Sequence, residues 1–203
     1  MKDYSQELNA WAEELSAVHL PRWDELPSLN LYMDQVLEYI NDTLSFFVVQ
    51  PHGRNEKLRG DDKLLTAAMI NNYVKQKLLP KPENKRYQRK HLACMIVYVL
   101  LKQVLPLTDI QKGIYLQLEL CDREFQVAYD LFCQKMEMGL AYVSDLTRGQ
   151  VMDEQAYSTM PVTVLGTSMA ALSLATKLIA QKVLALNNSE DDSNDFAIET
   201  DTH

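Results

Sequence analysis

Apolar residues recur every three or four positions along most of the chain, which is the spacing of one face of an α-helix. The first such segment carries the apolar residues Leu8, Trp11, Ala12, Leu15 and Val18. Later segments cover residues 31–44, 66–77, 91–105, 109–120 and 164–186. The pattern therefore predicts an all-α protein.

Three polar residues mark the starts of predicted helices. Thr66, Thr108 and Asp122 each stand before an apolar-periodic segment, and Thr and Asp side chains cap free N–H groups at helix N-termini. We therefore expect a helix to begin directly after each of them. Residues 46–62 are the least regular part of the sequence: an apolar run at 46–49 precedes polar, glycine-containing sequence at 51–62, which predicts an exposed loop. The acidic tail 189–203 is expected to be disordered.

The C-terminal half contains two apolar stripes with alternating steps of three and four residues. The first consists of Phe125, Tyr129, Phe132, Met136, Leu140 and Val143. The second consists of Leu165, Met169, Leu172, Thr176, Ile179, Val183 and Leu186. This spacing fits core packing within one chain and equally fits a coiled-coil-like dimer interface. Met and aromatic side chains in these helices also suit a pocket for a small-molecule effector, although a packed core is the simpler interpretation.

Length and composition are those of an ordinary soluble globular protein. The chain has 203 residues, 47% hydrophobic and 24% charged, which suits one or two small domains with a buried core. Its three cysteines lack CxxC spacing and lie in apolar helical patterns, which favours reduced core residues. The N-terminus has no signal-peptide core, and Lys177, Gln181 and Lys182 interrupt the most apolar segment. A soluble, cytoplasmic protein is expected.

Local motifs for catalysis are missing from the sequence. It contains no glycine-rich phosphate loop, no HExxH and no GxSxG, and its four histidines, at positions 19, 52, 91 and 203, are far apart. Carboxylates are abundant but fall on predicted solvent faces. We therefore expect a protein that is not an enzyme, with no cofactor and no metal site.

Charge is distributed unevenly along the chain. The whole protein carries −8, yet residues 63–91 contain eight Lys and Arg residues and one acid, Glu83. This stretch, the basic segment, therefore carries +7 while the remainder carries −15. Such a partition indicates a negatively charged partner for the basic segment.

The helix predicted after Thr66 has an unusual outer face. Its inner face is apolar, whereas the outer face consists of Ala67, Ala68, Asn71, Asn72 and Lys75. Asparagine lowers helix propensity, small residues permit close approach to a surface, and Asn can pair with adenine through two hydrogen bonds in the major groove. The alternative is an ordinary solvated face.

Cations also begin the next predicted helix, at Gln88, Arg89, Lys90 and His91. A helix N-terminus carries partial positive charge, so cations there are unfavourable by about 0.3–1 kcal/mol each. The arrangement is favourable when an anion such as phosphate binds the same terminus. The alternative is a lysine-rich surface that maintains solubility.

The order of these features resembles the MerR-type winged helix-turn-helix. Thr66, a helix ending near Tyr73, the run KLLPKP, a basic connection with Tyr87 and the helix HLACMIVYVLLKQVLPLTDI follow that pattern over about residues 65–114. Over a longer span, LYMDQVLEYI, MINNYVK and KRYQRKHLA are similar to an uncharacterised bacterial domain family of unknown function. That family is itself regarded as related to MerR-type regulators.

The resemblance implies a recognition helix that reads base edges through Asn71, Asn72 and Ala68, and a wing that holds phosphates through Lys85 and Tyr87. The predicted DNA-contacting residues are Ala67, Ala68, Asn71, Asn72, Lys75, Lys81, Lys85, Arg86, Tyr87, Arg89 and Lys90. The chain departs from the pattern in three places. A long segment joins the first two helices, Asn71 replaces an arginine, and a basic rather than acidic start opens the helix after the wing.

These observations predict four regions. Residues 1–28 form an N-terminal helix and linker, 29–115 a MerR-like DNA-binding domain, 116–188 a helical dimerisation or sensing region, and 189–203 the tail. The predicted function is transcriptional regulation by a homodimer that binds duplex DNA, with an effector site in the C-terminal helices. The alternative is a protein-interaction module whose basic segment binds an acidic partner.

Overall fold

The computed structural model describes residues 4–48, 63–150 and 162–188. Within these ranges the protein forms seven α-helices and two short 3₁₀ turns, at Trp23–Glu25 and Ser45–Phe47. The helices are α1 (Ser5–Ser16), α2 (Met33–Thr43), α3 (Ala67–Lys75), α4 (Arg89–Leu101), α5 (Leu107–Leu120), α6 (Phe125–Thr147) and α7 (Val162–Asn188). The described residues form only isolated β-bridges and no strand, so the prediction of an all-α fold is confirmed.

Helix α4 is the centre of the fold. Every residue from His91 to Leu101 is buried except Cys94, and the helix contacts α2, α5, α6 and α7. A helix that is apolar all round must have neighbours on every side, because no face of it suits water. The strongly apolar sequence of this segment is thereby explained.

Helices α6 and α7 form the most extensive helix pair. The α6 stripe from Tyr129 to Val143 is buried, so its predicted apolar positions belong to the protein core. The core face of α7 lies elsewhere than its predicted stripe, since Leu174 and Leu178 are fully buried while Met169 and Val183 remain 40% and 36% exposed. Much of the α7 stripe is therefore left outside the core.

The segment between α1 and α2 is held against α6 by polar contacts. The Arg22 guanidinium donates to both carboxylate oxygens of Glu137, at 2.8 and 2.5 Å, and the Leu20 N–H donates to the same carboxylate at 2.8 Å. The Trp23 N–H donates to Asp130 at 2.7 Å. These contacts fix a proline-containing connection that has little regular structure of its own.

The three predicted helix caps have different outcomes. Thr66 caps α3 as expected, because its hydroxyl accepts a hydrogen bond from the Met69 N–H. The prediction for Thr108 was wrong, since α5 begins at Leu107, two residues before the predicted start, with Pro106 as its N-cap. The prediction for Asp122 was also wrong. Its φ of 51° lies in the left-handed region, where the chain leaves α5, and α6 begins only at Phe125.

Two other predictions fall outside the described residues. The exposed loop 51–62 and the tail 189–203 lie there. Cys94, Cys121 and Cys133 are free, in agreement with the reduced state expected.

One helix bears on the question of a membrane. By length and composition, Leu165–Leu186 is apolar enough to cross a membrane, and 39% of its most apolar 18-residue window is buried within the protein. The charged residues of the stretch do not by themselves exclude a span, but its packing on α6 accounts for its apolar core face. A soluble, cytoplasmic protein stays a prediction.

Candidate nucleic-acid interface

The short helix α3 is anchored by its inner face. Ile70 is fully buried, and the ring of Tyr73 packs against that of Tyr98 in α4 with a centroid distance of 5.4 Å. Thr66 satisfies one backbone donor at the N-terminus. Nine residues form a marginal helix alone, so this packing holds the outer face of α3 in place.

The outer face of α3 is exposed to solvent as the pattern predicted. Ala68, Asn71, Asn72 and Lys75 are exposed, and Ala67 is partly buried. The Asn72 side-chain oxygen accepts a hydrogen bond from the Gln76 amide at 3.0 Å, one helical turn later. A partner that pairs with Asn72 must displace or share this bond.

Helix α3 ends in a left-handed turn at Lys77. The Leu78 N–H donates to the Tyr73 carbonyl at 2.9 Å, and the Lys77 N–H donates to Val74 at 3.1 Å, the pair of bonds that defines a Schellman motif. Lys77 has φ 59°, a conformation that favours glycine.

A tight hairpin follows between α3 and α4. Glu83 and Arg86 form an antiparallel bridge, closed by a 2.9 Å bond from the Arg86 N–H to the Glu83 carbonyl. Both central residues have positive φ, 49° at Asn84 and 59° at Lys85, as in a type I′ turn. Asparagine tolerates this conformation, whereas the second position strongly prefers glycine. Lys85 thus places a cation at an exposed hairpin tip despite local strain.

The base of the hairpin is tied to the chain before α2. Leu31 and Tyr87 exchange two backbone hydrogen bonds, of 2.9 and 2.8 Å. Tyr87 is only 3% exposed, and its ring meets that of His91 edge to face at 5.7 Å. The expectation of a surface phosphate contact at Tyr87 is therefore corrected. Its aromatic ring belongs to the core because it fills the junction between the hairpin and α4.

Arg86 extends to an aromatic neighbour. Its guanidinium donates to the Tyr32 hydroxyl at 2.8 Å and lies 4.7 Å from the centroid of that ring. Both side chains are exposed. Lys77, Lys81 and Lys85 are exposed as well, so the connection between α3 and α4 presents four cations to solvent.

The start of α4 uses its cations differently from the expectation. Arg89 lies 3.5 Å from the Asp24 carboxylate and 5.8 Å from the centroid of the Trp23 ring, so it already has protein partners. Lys90 is partly buried. His91 is buried, accepts a 2.9 Å hydrogen bond from the Gln88 N–H at Nδ1, and has a lowered pKa because burial and the nearby Lys90 charge disfavour its protonation. An anion at this terminus would have to compete with Asp24 for Arg89.

The structure brings together some predicted residues with partners that the sequence did not suggest. Tyr32 and the Trp23–Asp24 pair are distant from the basic segment along the chain but adjacent to Arg86 and Arg89 in space. The available signal was a pair of aromatic residues, Trp23 and Tyr32, in the linker between α1 and α2, and such residues are too common to be specific. Across the three described ranges, no cluster of three or more His, Cys, Asp or Glu side chains is arranged to hold a metal ion.

Comparison with known proteins gives one match. Curated proteins and solved structures show no match to the chain. Residues 21–132, more than half of the chain, match a family described as a domain of unknown function. The matched region contains α2 to α5, the hairpin and the first turns of α6. The expected similarity to such a family is confirmed at that level, and the chain belongs to the domain of unknown function family DUF1836.

Proposed function

We propose that the protein is a non-enzymatic, DNA-binding transcriptional regulator of the MerR-like winged helix-turn-helix type. Helix α3 would be the recognition helix, and the 83–86 hairpin would be the wing. The resemblance of the sequence to that class supports this assignment, as does the position of a hairpin directly between α3 and α4.

The observation that carries the proposal is the cation at the hairpin tip. Lys85 has φ 59°, where a side chain costs conformational energy that glycine would avoid. A strained residue is a reason to look for function, and a lysine projecting from a wing can contact a phosphate. Arg86 and Lys81 add two exposed cations beside it.

The exposed α3 face supports base reading in particular. Asn71 is exposed on a helix whose opposite side is locked to α4 by Tyr73, so its position is defined before any partner arrives. Asn can form two hydrogen bonds with adenine, and Ala68 one turn earlier leaves room for close approach.

Dimerisation in the cytoplasm is part of the proposal. Two-fold DNA readers span half-sites one helical turn apart, about 34 Å, and therefore act as dimers. The α7 stripe supplies an apolar surface, since Met169 and Val183 are exposed although α7 packs on α6.

A protein-interaction module is the second candidate. It is favoured by the +7 charge of the basic segment in a chain of −8, which attracts any acidic partner. An acidic polypeptide would use the cations but would have no specific use for Asn71.

The test is duplex-DNA binding by fluorescence anisotropy over a salt series, with random and selected sequences. For Lys81→Ala, Lys85→Ala and Arg86→Ala we expect weaker binding to every sequence and a log–log salt slope flatter by about 0.9 unit per lost phosphate contact. For Asn71→Ala we expect a loss of about 1–3 kcal/mol on the selected site, little loss on random DNA and an unchanged slope.

Lys112→Ala is the matched control, because Lys112 is an exposed lysine on α5, outside the basic segment. It should bind like the wild type. Absence of salt-dependent DNA binding by the wild type would contradict the regulator. Weaker binding of an acidic polypeptide by the three cation variants, with no loss in Asn71→Ala and no loss of DNA binding in any variant, would establish the second candidate instead.

A further inference from the structure

An apolar cavity of about 340 Å³ lies among α4, α5, α6 and α7. Cys94 and Val97 of α4, Ile110 of α5 and Phe132 of α6 form part of its wall, and α7 contributes residues around Gly166. The volume falls in the range of small-molecule sites, about 300–1,000 Å³. The cavity spans the boundary of the DUF1836 match, because α7 lies beyond residue 132.

Two glycines line this cavity. Gly113 lies within α5 and Gly166 within α7, both line the cavity, and a β-carbon added at either would meet no atom of the described residues within 4 Å. Glycine destabilises a helix relative to alanine, so its use inside two helices needs a reason. At Gly139 the reason is close packing on Ala171. No described residue packs against either cavity glycine, so both leave space at the cavity wall.

The charge of the wall restricts the occupant. Among the described residues that line the cavity there is one carboxylate, Asp109, and no lysine, arginine or histidine. Gln117 and Thr167 supply further polar groups at the wall. Burying an anionic ligand there would cost free energy, because no wall residue among those described supplies a positive charge. A neutral or cationic apolar molecule would avoid this cost.

We propose that this cavity binds a small, predominantly apolar molecule that is neutral or cationic. A ligand there contacts α4, the helix whose first turn carries Arg89 and Lys90. Binding itself is independent of the DNA-binding proposal, and the two can fail separately.

The test uses two probes with the same aromatic skeleton on the full-length protein. N-phenyl-1-naphthylamine is neutral, and 8-anilinonaphthalene-1-sulfonate adds one negative charge. We expect fluorescence enhancement and saturable binding with the neutral probe, and about tenfold or more weaker binding of the sulfonate. Equal or tighter binding of the sulfonate would overturn the assigned ligand class, and no binding of the neutral probe would overturn the site.

A second experiment fills the cavity by substitution. Gly113→Leu and Gly166→Leu should each weaken binding of the neutral probe by about tenfold or more, with a Tm no lower than that of the wild type because leucine is the better helix former. Thr108→Leu and Ala180→Leu, at exposed positions of the same two helices that do not line the cavity, are the matched controls. Wild-type affinity in both filled variants, or an equal loss in the controls, would refute the site.

Discussion

Gly139 of α6 lies directly against Ala171 of α7: a β-carbon added at Gly139 would be 2.7 Å from the Ala171 Cβ and 3.1 Å from its backbone carbon. The contact sets how closely the two longest helices approach. Because backbone atoms cannot move aside cheaply, Gly139→Ala should destabilise the protein by about 1–2 kcal/mol, overpacking outweighing the gain in helix propensity. Urea unfolding followed by circular dichroism measures this change.

Gly113→Ala is the control for that measurement, since Gly113 has open space around it. It should be neutral or raise stability by up to about 1 kcal/mol. A Gly139→Ala protein as stable as the wild type would show that the helices can separate at no cost.

The carboxylate of Glu137 should matter more for stability than a surface acid. It accepts hydrogen bonds from the Arg22 guanidinium and the Leu20 N–H and is only 22% exposed. Glu137→Gln leaves the Arg22 charge without its partner and should cost about 1–3 kcal/mol. Glu119→Gln, which loses only an exposed pair with Arg123, should change the free energy of unfolding by less than about 0.5 kcal/mol. Equal destabilisation by Glu137→Gln and Glu119→Gln in urea unfolding would contradict this role of the Glu137 carboxylate.

Stability should fall as the pH drops through the range in which His91 titrates when unfolded. Burial lowers the pKa of His91 below its ordinary 6.5, so the unfolded chain binds a proton at pH values where the native state does not. Protons therefore favour unfolding below about pH 6.5, with a slope of at most about 1.4 kcal/mol per pH unit.

His91→Asn separates this effect from the titration of other groups. It retains a side-chain acceptor for the Gln88 N–H but cannot be protonated. Urea unfolding of both proteins between pH 7.5 and 5.5 should show a smaller decrease in the free energy of unfolding for the variant than for the wild type. Identical pH dependence would mean that His91 does not contribute.

Lys85→Gly should separate stability from DNA binding. Glycine relieves the positive φ of 59° and should stabilise the protein by about 0.5–1 kcal/mol, while the loss of the tip cation weakens binding to all DNA sequences. Lys77→Gly is the control, because it removes a lysine at the same φ outside the predicted contacts. Thermal unfolding measures the change in stability, and fluorescence anisotropy measures the change in DNA binding. If both variants bind DNA equally well, the Lys85 charge contributes no more to DNA binding than the Lys77 charge.

The α7 stripe should determine assembly. Met169→Glu combined with Val183→Glu places charges at exposed positions and should leave a folded monomer, measured by light scattering and circular dichroism. Leu178→Glu, at a fully buried position of the same helix, should instead unfold the protein. A wild-type protein that is monomeric at high concentration would exclude the dimer.

Local sequence was sufficient for the helices and for the α3 surface. Periodicity placed α3 within a residue or two, and the Thr66 cap and the exposure of Asn71 follow from short-range rules. Such rules failed at Asp122, where capping propensity competed with the left-handed turn that ends α5. Local rules could not predict the neighbours of Arg86 and Arg89, because these neighbours are distant along the chain.

By itself, then, the sequence determined which segments are helical and where positive charge concentrates, because these depend on spacings of a few residues. Tertiary structure alone decided that Tyr87 is buried rather than exposed, that α7 packs through Leu174 and Leu178, and that Gly113 and Gly166 meet at one cavity. The physical reason is that burial and cavities depend on how distant helices pack, and an apolar face carries no information on which neighbour will cover it.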